Sequence, residues 1–211
     1  MKKVIIVGAG GCGREVMQWA LDCVKAGTAW DLLGFIDDNP DALQGLRVNH
    51  PILGSIKDWQ PKADEYFICG IATPHIKRRI VSDLKAKGAV FLTLIHPSAI
   101  VSATALVGEG VVMSPFSVFS DNTVIGDHVF INLHTAIGHD ARVGDYSVIS
   151  SYCDITGGVS IGKDVFLGSH AVVVPKVKVG DGAYLCAGSV VMNRVAPGAK
   201  VLGNPARPFK I

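Results

Sequence analysis

The stretch Ile137-Gly138-His139-Asp140-Ala141-Arg142-Val143-Gly144-Asp145-Tyr146-Ser147-Val148-Ile149 decides the fold. Its aliphatic residues return every sixth position, and a small residue follows each of them four places later. Followed in both directions, the aliphatic series runs Val101, Val107, Met113, Phe119, Ile125, Ile131, Ile137, Val143, Ile149, Ile155, Ile161, Leu167, Val173, Val179, Leu185 and Val191 without a miss. With half of the residues apolar, such a run arises by chance about once in 10⁵ trials, so the period is a signal. Seven residues directly after the aliphatic position are glycine (Gly108, Gly126, Gly138, Gly144, Gly162, Gly168 and Gly180), which suits a repeated backbone corner. An amphipathic helix repeats its stripe every 3.6 residues or so, roughly half this period, and is excluded.

This hexapeptide pattern resembles the left-handed parallel β-helix of the hexapeptide acyltransferases. The resemblance implies triangular coils of three hexads, a little over five of them, with neighbouring coils about 4.8 Å apart. Residues 18 apart then share a column. Handedness comes from the resemblance alone, since parallel crossovers are otherwise right-handed. The unbroken frame leaves no room for a long loop between coils. Members of the family trimerise with active sites between adjacent prisms, which implies a homotrimer.

Residues 1–95 read differently. Val4-Ile5-Ile6-Val7 is a short buried strand, Gly8-Ala9-Gly10-Gly11-Cys12-Gly13 is a GxGxxG turn, and Arg14 to about Lys25 is a helix. Leu32 to Ile36 predicts a second strand that ends in Asp37-Asp38, and Glu65 to Cys69 a third. Thr73-Pro74 opens a helix that runs to Lys87, with Gly88 as its stop, and Ala89 to Ile95 forms a fourth strand. Strand and helix in alternation predict a Rossmann-like parallel α/β domain. In that setting the glycine turn holds a diphosphate on free N–H groups at a helix N-terminus, with Asp37 placed for a ribose or base contact. The adjoining Lys77-Arg78-Arg79 run and His75 read as decoration of an exposed helix face. Trp19, Trp30 and Trp59 read as packing residues.

The two halves together resemble the family of NeuD-type sialic-acid O-acetyltransferases and PglD-type sugar N-acetyltransferases. The likeness rests on the glycine turn, Phe35-Ile36-Asp37-Asp38, His96-Pro97-Ser98-Ala99, Ile137-Gly138-His139-Asp140 and Gly203-Asn204-Pro205-Ala206-Arg207. It implies three parts: a nucleotide-sugar-binding domain at 1–95, a β-helix acyltransferase domain at 96–198, and a cap with a CoA-contacting tail at 199–211. It further implies that Gly8, Gly10, Gly11, Cys12, Gly13, Asp37 and Asp38 hold the acceptor nucleotide. Relatives often carry His where this chain has Cys12, and a second His where it has Val148.

Acetyl transfer from a thioester needs a base for the nucleophile's proton and donors for the oxyanion. His139 is the candidate base, Asp140 the carboxylate that orients it, and the backbone N–H of Gly157, one coil further along the same column, the candidate oxyanion donor. A lone His on a prism surface is ordinarily a solvated residue. Asp140, Gly157 and the family pattern together turn that reading toward catalysis. For acetyl-CoA the family pattern implies Ser169, Ala187 and Gly188, with Gly203, Pro205 and Arg207 along the CoA arm. His134, Tyr152 and His170 form a further column, read as a polar ladder on the surface or between protomers.

The implied activity is acetyl-CoA-dependent N-acetylation of a nucleotide-linked amino sugar, with O-acetylation of a sialic or similar sugar as the alternative. A γ-carbonic-anhydrase-like zinc site would need a third histidine where the chain has Ser98, so no metal is expected. A nucleotide-sugar oxidoreductase would leave the prism without a role, and a non-enzymatic scaffold would leave His139 idle. The composition agrees with a soluble solenoid. Of 211 residues, 49% are apolar and 18% charged, the net charge is +2, and no apolar run approaches the 18 to 20 residues that spanning a bilayer takes, roughly. A nucleic-acid partner would need a larger basic excess. Five cysteines without a CxxC pair read as reduced thiols, and with no signal-peptide pattern the location expected is the cytoplasm.

Overall fold

The computed structural model describes residues 1–209. The first half is a parallel α/β layer of β1 (Lys2–Val7), α1 (Gly11–Lys25), β2 (Trp30–Ile36), β3 (Ile52–Gly54), β4 (Glu65–Cys69), α2 (Pro74–Ala86) and β5 (Val90–Phe91). The strand order is β3-β2-β1-β4-β5, which puts the topological switch between β1 and β4. Val4 to Val7 are buried on both faces of the sheet, which is why they read as an unbroken apolar run. α1 starts three residues before the expected Arg14, because the glycine turn itself enters the helix and the Arg14 amide donates to Gly10 O at 3.0 Å. β3 is an edge strand too short to show an alternation in sequence. The run expected as one strand over 89–95 is two: β5 pairs with β4, whereas β6 (Leu94–Ile95) pairs with Val112–Met113 in the second half.

From β6 to Val190–Val191, two-residue strands and two-residue turns alternate without interruption, and the strands stack into three parallel sheets. Phe119 lies beside Ile137, Ile137 beside Ile155 and Ile155 beside Val173, a step of one coil each time. The fold is a left-handed parallel β-helix, with the aliphatic series as its dry interior. Its first face turns Leu94, Val112, Phe130, Val148, Phe166 and Tyr184 outward, its second Ile100, Val118, Ala136, Asp154, Val172 and Val190, and its third Leu106, Val124, Arg142, Ser160 and Lys178. The chain end closes the last coil, as Lys200–Leu202 pairs with Tyr184–Leu185 and Arg207–Pro208 folds back against it.

The corners differ from the sequence reading in one respect. The glycines that follow each strand do not have positive φ; a Cβ on Gly144 would lie 2.6 Å from the carbonyl carbon of Gly162 in the next coil, so close stacking excludes a side chain there. From Gly110 to Gly188 the positive φ falls on the second residue of the turn, at 54–64° in ten non-glycine residues that include Asn122, His134, Asp140, Tyr152 and His170. Asn, Asp and His tolerate that region best among L-residues.

The α/β layer packs on the first face. Met17, Trp19, Ala20 and Cys23 of α1 cover Leu94, Val112, Phe130 and Val148, and the Trp19 and Phe130 rings lie 6.0 Å apart. α2 runs along the corner between the third and first faces. There Lys77 Nζ donates to Ser147 O at 3.3 Å, Arg78 pairs with Asp164 and lies 5.0 Å over Tyr146, and Lys85 pairs with Glu109 at 3.0 Å. The exposed basic face expected at 77–79 is therefore corrected at Lys77 and in part at Arg78, while Arg79 and His75 are exposed as expected. Lys77 is 1% exposed, because Lys77, Val81 and Leu84 share the helix stripe that turns inward. Among the described residues no helix is long and apolar enough to cross a membrane.

His128 sits in the same seam, 1% exposed, edge-on to Phe91 and stacked on Tyr146, with no partner for either ring nitrogen among the described residues. Burial pushes its pKa from 6.5 down to about 4. The unfolded chain gains a proton as pH falls through 6.5, whereas the folded chain resists until about 4, so stability present above 6.5 is lost across that window. The loss amounts to about 3 kcal/mol. Urea unfolding from pH 7 to 4 should show that slope, and His128→Phe should flatten it; an unchanged slope in the variant would refute the assignment.

Candidate active site

His139 and Asp140 form the two-residue turn between the second and third faces. His139 Nδ1 and Asp140 Oδ2 lie 2.8 Å apart. A carboxylate only accepts, so Nδ1 carries the hydrogen and Nε2 keeps its lone pair. Asp140 is fixed from the preceding coil, where Asn122 Nδ2 donates to Asp140 Oδ1 at 2.7 Å. The hydrogen bonds from His139 and Asn122 hold the Asp140 carboxyl below its ordinary pKa. On the other side, a Cβ on Gly157 would lie 2.5 Å from His139 Nε2, so the imidazole rests directly on that glycine. Among the described residues the Gly157 N–H meets no protein acceptor. The His139 and Asp140 side chains are 69% and 54% exposed.

Asn122 was not singled out from the sequence. Its signal is the column itself, since it stands 18 residues before Asp140.

Ser169, Ala187 and Gly188 stack at a different corner, between the first and second faces, where the Gly188 amide donates to Ser169 O at 2.9 Å. Beside them runs a ladder of exposed rings, Phe116, His134, Tyr152 and His170, with successive centroids 4.9–5.0 Å apart. His134 and His139 therefore occupy different corners. Gly203 lies against the last coil, as Val190 N donates to Gly203 O at 2.9 Å, and Pro205 and Arg207 follow it at the closing hairpin. Val148 is buried under the α/β layer. Among the described residues no group of three His, Cys, Asp or Glu is placed to hold a metal.

The glycine turn lies at the sheet's switch point. Gly13 packs so tightly on the Gly8 carbonyl and on Gly70 that no side chain fits, whereas nothing lies within 4 Å of a Cβ built on Gly10. α1 has neither a side-chain cap nor an acid in its first turn, which leaves its N–H groups open to an anion. Asp37 is occupied locally, accepting from Ala9 N at 2.7 Å and Asn39 N at 2.9 Å. Asp38 accepts from Ser55 Oγ and Lys57 N, which hold its pKa down. Cys12 is pushed up to about 12, mainly by burial, and stays a thiol. Beyond the adjacent loop opens a cavity of about 610 Å³ lined by Thr73, His75, Arg78, Asp164, Phe166 and Tyr184.

Two family models match this layout, the PglD N-terminal domain over residues 3–84 and the bacterial transferase hexapeptide (six repeats) over 158–193. The chain is 30% identical over 125 residues to a UDP-N-acetylbacillosamine N-acetyltransferase of Bacillus subtilis, covering 54% of this chain and 51% of the relative. It is 32% identical over 114 residues to a GDP-perosamine N-acetyltransferase of Escherichia coli O157:H7, covering 53% and 50%. These matches thus span about half the length of the curated relatives. Among solved structures, the acetyltransferase domain of PglB from Neisseria gonorrhoeae superposes with a TM-score of 0.90 at 27% identity, covering 99% of this chain and 100% of that one. PerB from Caulobacter crescentus, in complex with CoA and GDP-perosamine, gives 0.88 at 25%, covering 100% and 98%.

If Asn122 holds Asp140 as the geometry indicates, Asn122→Ala raises the Asp140 carboxyl pKa toward its ordinary value. Carboxyl ¹³C titration by NMR reads this directly, and an unmoved titration would show that the contact carries no weight.

Proposed function

We propose that this chain is an acetyl-CoA-dependent N-acetyltransferase acting on a nucleotide-linked amino sugar in bacterial surface-glycan biosynthesis. The observation that carries the reading is the His139 site, in which an oriented imidazole with a free Nε2 rests on a glycine whose N–H is unclaimed. The relatives' names all specify N-acetylation of an amino sugar, which favours the amine over the hydroxyl acceptor. His139 Nε2 takes the proton lost as the amine nitrogen bonds to the thioester carbonyl carbon. The Gly157 N–H stabilises the oxyanion, and Asp140 the imidazolium. When the carbon–sulfur bond breaks, the imidazolium returns its proton to the departing sulfur, and CoA leaves as the thiol.

In this reading residues 1–95 hold the acceptor through the glycine turn, 96–198 perform the transfer, and 199–211 cap the prism and contact CoA; Lys210 and Ile211 lie outside the described residues. Ser169, Ala187 and Gly188 line the CoA path, with Gly203, Pro205 and Arg207 along its arm. The geometry also supports an assembly of several copies, which we take as a homotrimer. The α/β layer covers the first face, whereas His139 stands at the one corner that this face does not touch. An acceptor held by one chain's glycine turn therefore meets the His139 of another. The second face suits such a contact, since its outward residues are apolar apart from Asp154. Five free cysteines fit a reducing compartment, and we place the enzyme in the cytoplasm.

His139→Ala should lower thiol release from acetyl-CoA, assayed across a panel of UDP-, GDP- and dTDP-linked amino sugars, by about 10²–10⁴-fold with acetyl-CoA binding retained. A folded variant that works at the wild-type rate would sink the mechanism. Mixed assemblies of His139→Ala with Gly11→Asp chains test the shared site. Activity above that of either variant alone is expected, and its absence would place both halves of the site on one chain.

A further inference from the structure

Arg14 follows the glycine turn directly and folds back onto it. Its Nη1 donates to Ala9 O at 3.1 Å, and its Nη2 lies 3.9 Å from where a Cβ on Gly11 would stand, so the guanidinium sits beside the turn itself. Arg14 and Gln18, one helical turn apart on α1, form one wall of a cavity of about 350 Å³. Arg47, Asn49 and His50, from the segment that joins β2 to β3, form the other. Every polar side chain that lines this cavity can donate a hydrogen bond, and none is an acid. Among the described residues neither arginine forms an ion pair, whereas Lys3, Arg78, Lys85 and Lys163 each meet a carboxylate. Two guanidinium groups that share one cavity repel each other, and an anion between them reverses that cost.

We infer that Arg14, Arg47 and His50 form a phosphate site beside the glycine turn, which takes one phosphate of the acceptor's diphosphate. The inference rests on the reading that the glycine turn binds a nucleotide-linked acceptor. A guanidinium presents its N–H groups as a planar fork that matches two phosphate oxygens at once, and His50 adds a ring N–H from the same wall. Arg14 belongs both to the turn and to the cavity. A diphosphate that straddles it therefore has one phosphate over the turn, where nothing lies within 4 Å of a Cβ built on Gly10, and the other between the arginines. Held at two points, the diphosphate cannot swing about the turn. That fixes the direction in which the linked sugar leaves the α/β layer, and so contributes to placing its amine.

The test is calorimetry on the full chain with UDP, GDP, dTDP and acetyl-CoA as probes, comparing wild type, Arg47→Ala, Arg14→Ala and Arg14→Lys at low and high salt. Arg47 is exposed and without an ion pair, so its removal reads the ligand contact and leaves the fold alone. Arg47→Ala should weaken the nucleoside diphosphate that binds wild type by about tenfold, the loss expected for one charge-assisted contact. Arg14→Ala should lose at least as much, and Arg14→Lys less, since the ammonium keeps the charge without the fork. Salt should weaken diphosphate binding by a larger factor in wild type than in Arg47→Ala, because the variant has one charge fewer to screen. Acetyl-CoA affinity should be unchanged in all three variants. Unchanged diphosphate affinity in Arg47→Ala, or a salt dependence equal to that of wild type, overturns the inference alone. Weakened acetyl-CoA binding in any variant overturns it too, because the cavity then serves the phosphates of CoA. A wild-type protein that binds none of the three diphosphates overturns the acceptor reading and this inference with it. Should Arg14→Ala not fold, Arg47→Ala decides.

Discussion

In coil after coil the first residue of a strand and the residue that follows the strand give their amide hydrogens to carbonyls in the next coil: Val124 to Ala141 and Gly126 to Val143, Arg142 to Val159 and Gly144 to Ile161. At the corners the bonds return, from Asp140 to Asp121 and from Gly158 to His139. Up to Val191 every coil keeps the same length, since an added residue would leave buried amides unpaired and turn aliphatic side chains outward, and only the closing coil is shorter, with Leu185 beside Val201. That constraint makes the columns. It puts Asn122 under Asp140, His139 against Gly157, and one ring above another from Phe116 to His170. It also explains the composition, because close stacking excludes side chains from the glycine positions, and a narrow interior takes one large and one small residue per hexad.

The catalytic proposal is a use of that regularity. A histidine on a flat surface would choose among rotamers. Here the ring has a carboxylate on one side, a glycine instead of a side chain on the other, and an amide in the preceding coil to hold the carboxylate. Three coils thus orient one imidazole without any loop, and each contributes a residue type that its turn position already favours, Asn122 and Asp140 having positive φ. The seam between the halves works differently. It is irregular, mixing the Trp19–Phe130 contact with a lysine, an arginine–aspartate pair and a histidine whose ring nitrogens have no hydrogen-bond partner among the described residues.

Much of this was legible in the sequence. The period gave the prism and its columns, and therefore the neighbours of His139, because a hydrophobic repeat is a local property that survives without knowledge of anything else. The glycine turn and the strand–helix alternation gave the α/β half for the same reason. The misreadings occurred where two segments far apart in the chain compete for one residue. The run 89–95 looked like a single strand, yet its two ends pair with different sheets. Lys77 looked like one of three exposed cations, yet it shares the inward stripe of α2 with Val81 and Leu84.

What the sequence by itself determined is the coil, its length and which residues stand one above another, since backbone pairing and the aliphatic period fix these together. What only the tertiary structure decided is which face of the prism the α/β layer covers. All three faces present outward residues at the same period, and nothing in the period distinguishes Phe130 from Ala136 or Arg142 as the one that meets Trp19. That choice buries Lys77 and His128, and leaves His139 at the corner farthest from the chain's own glycine turn.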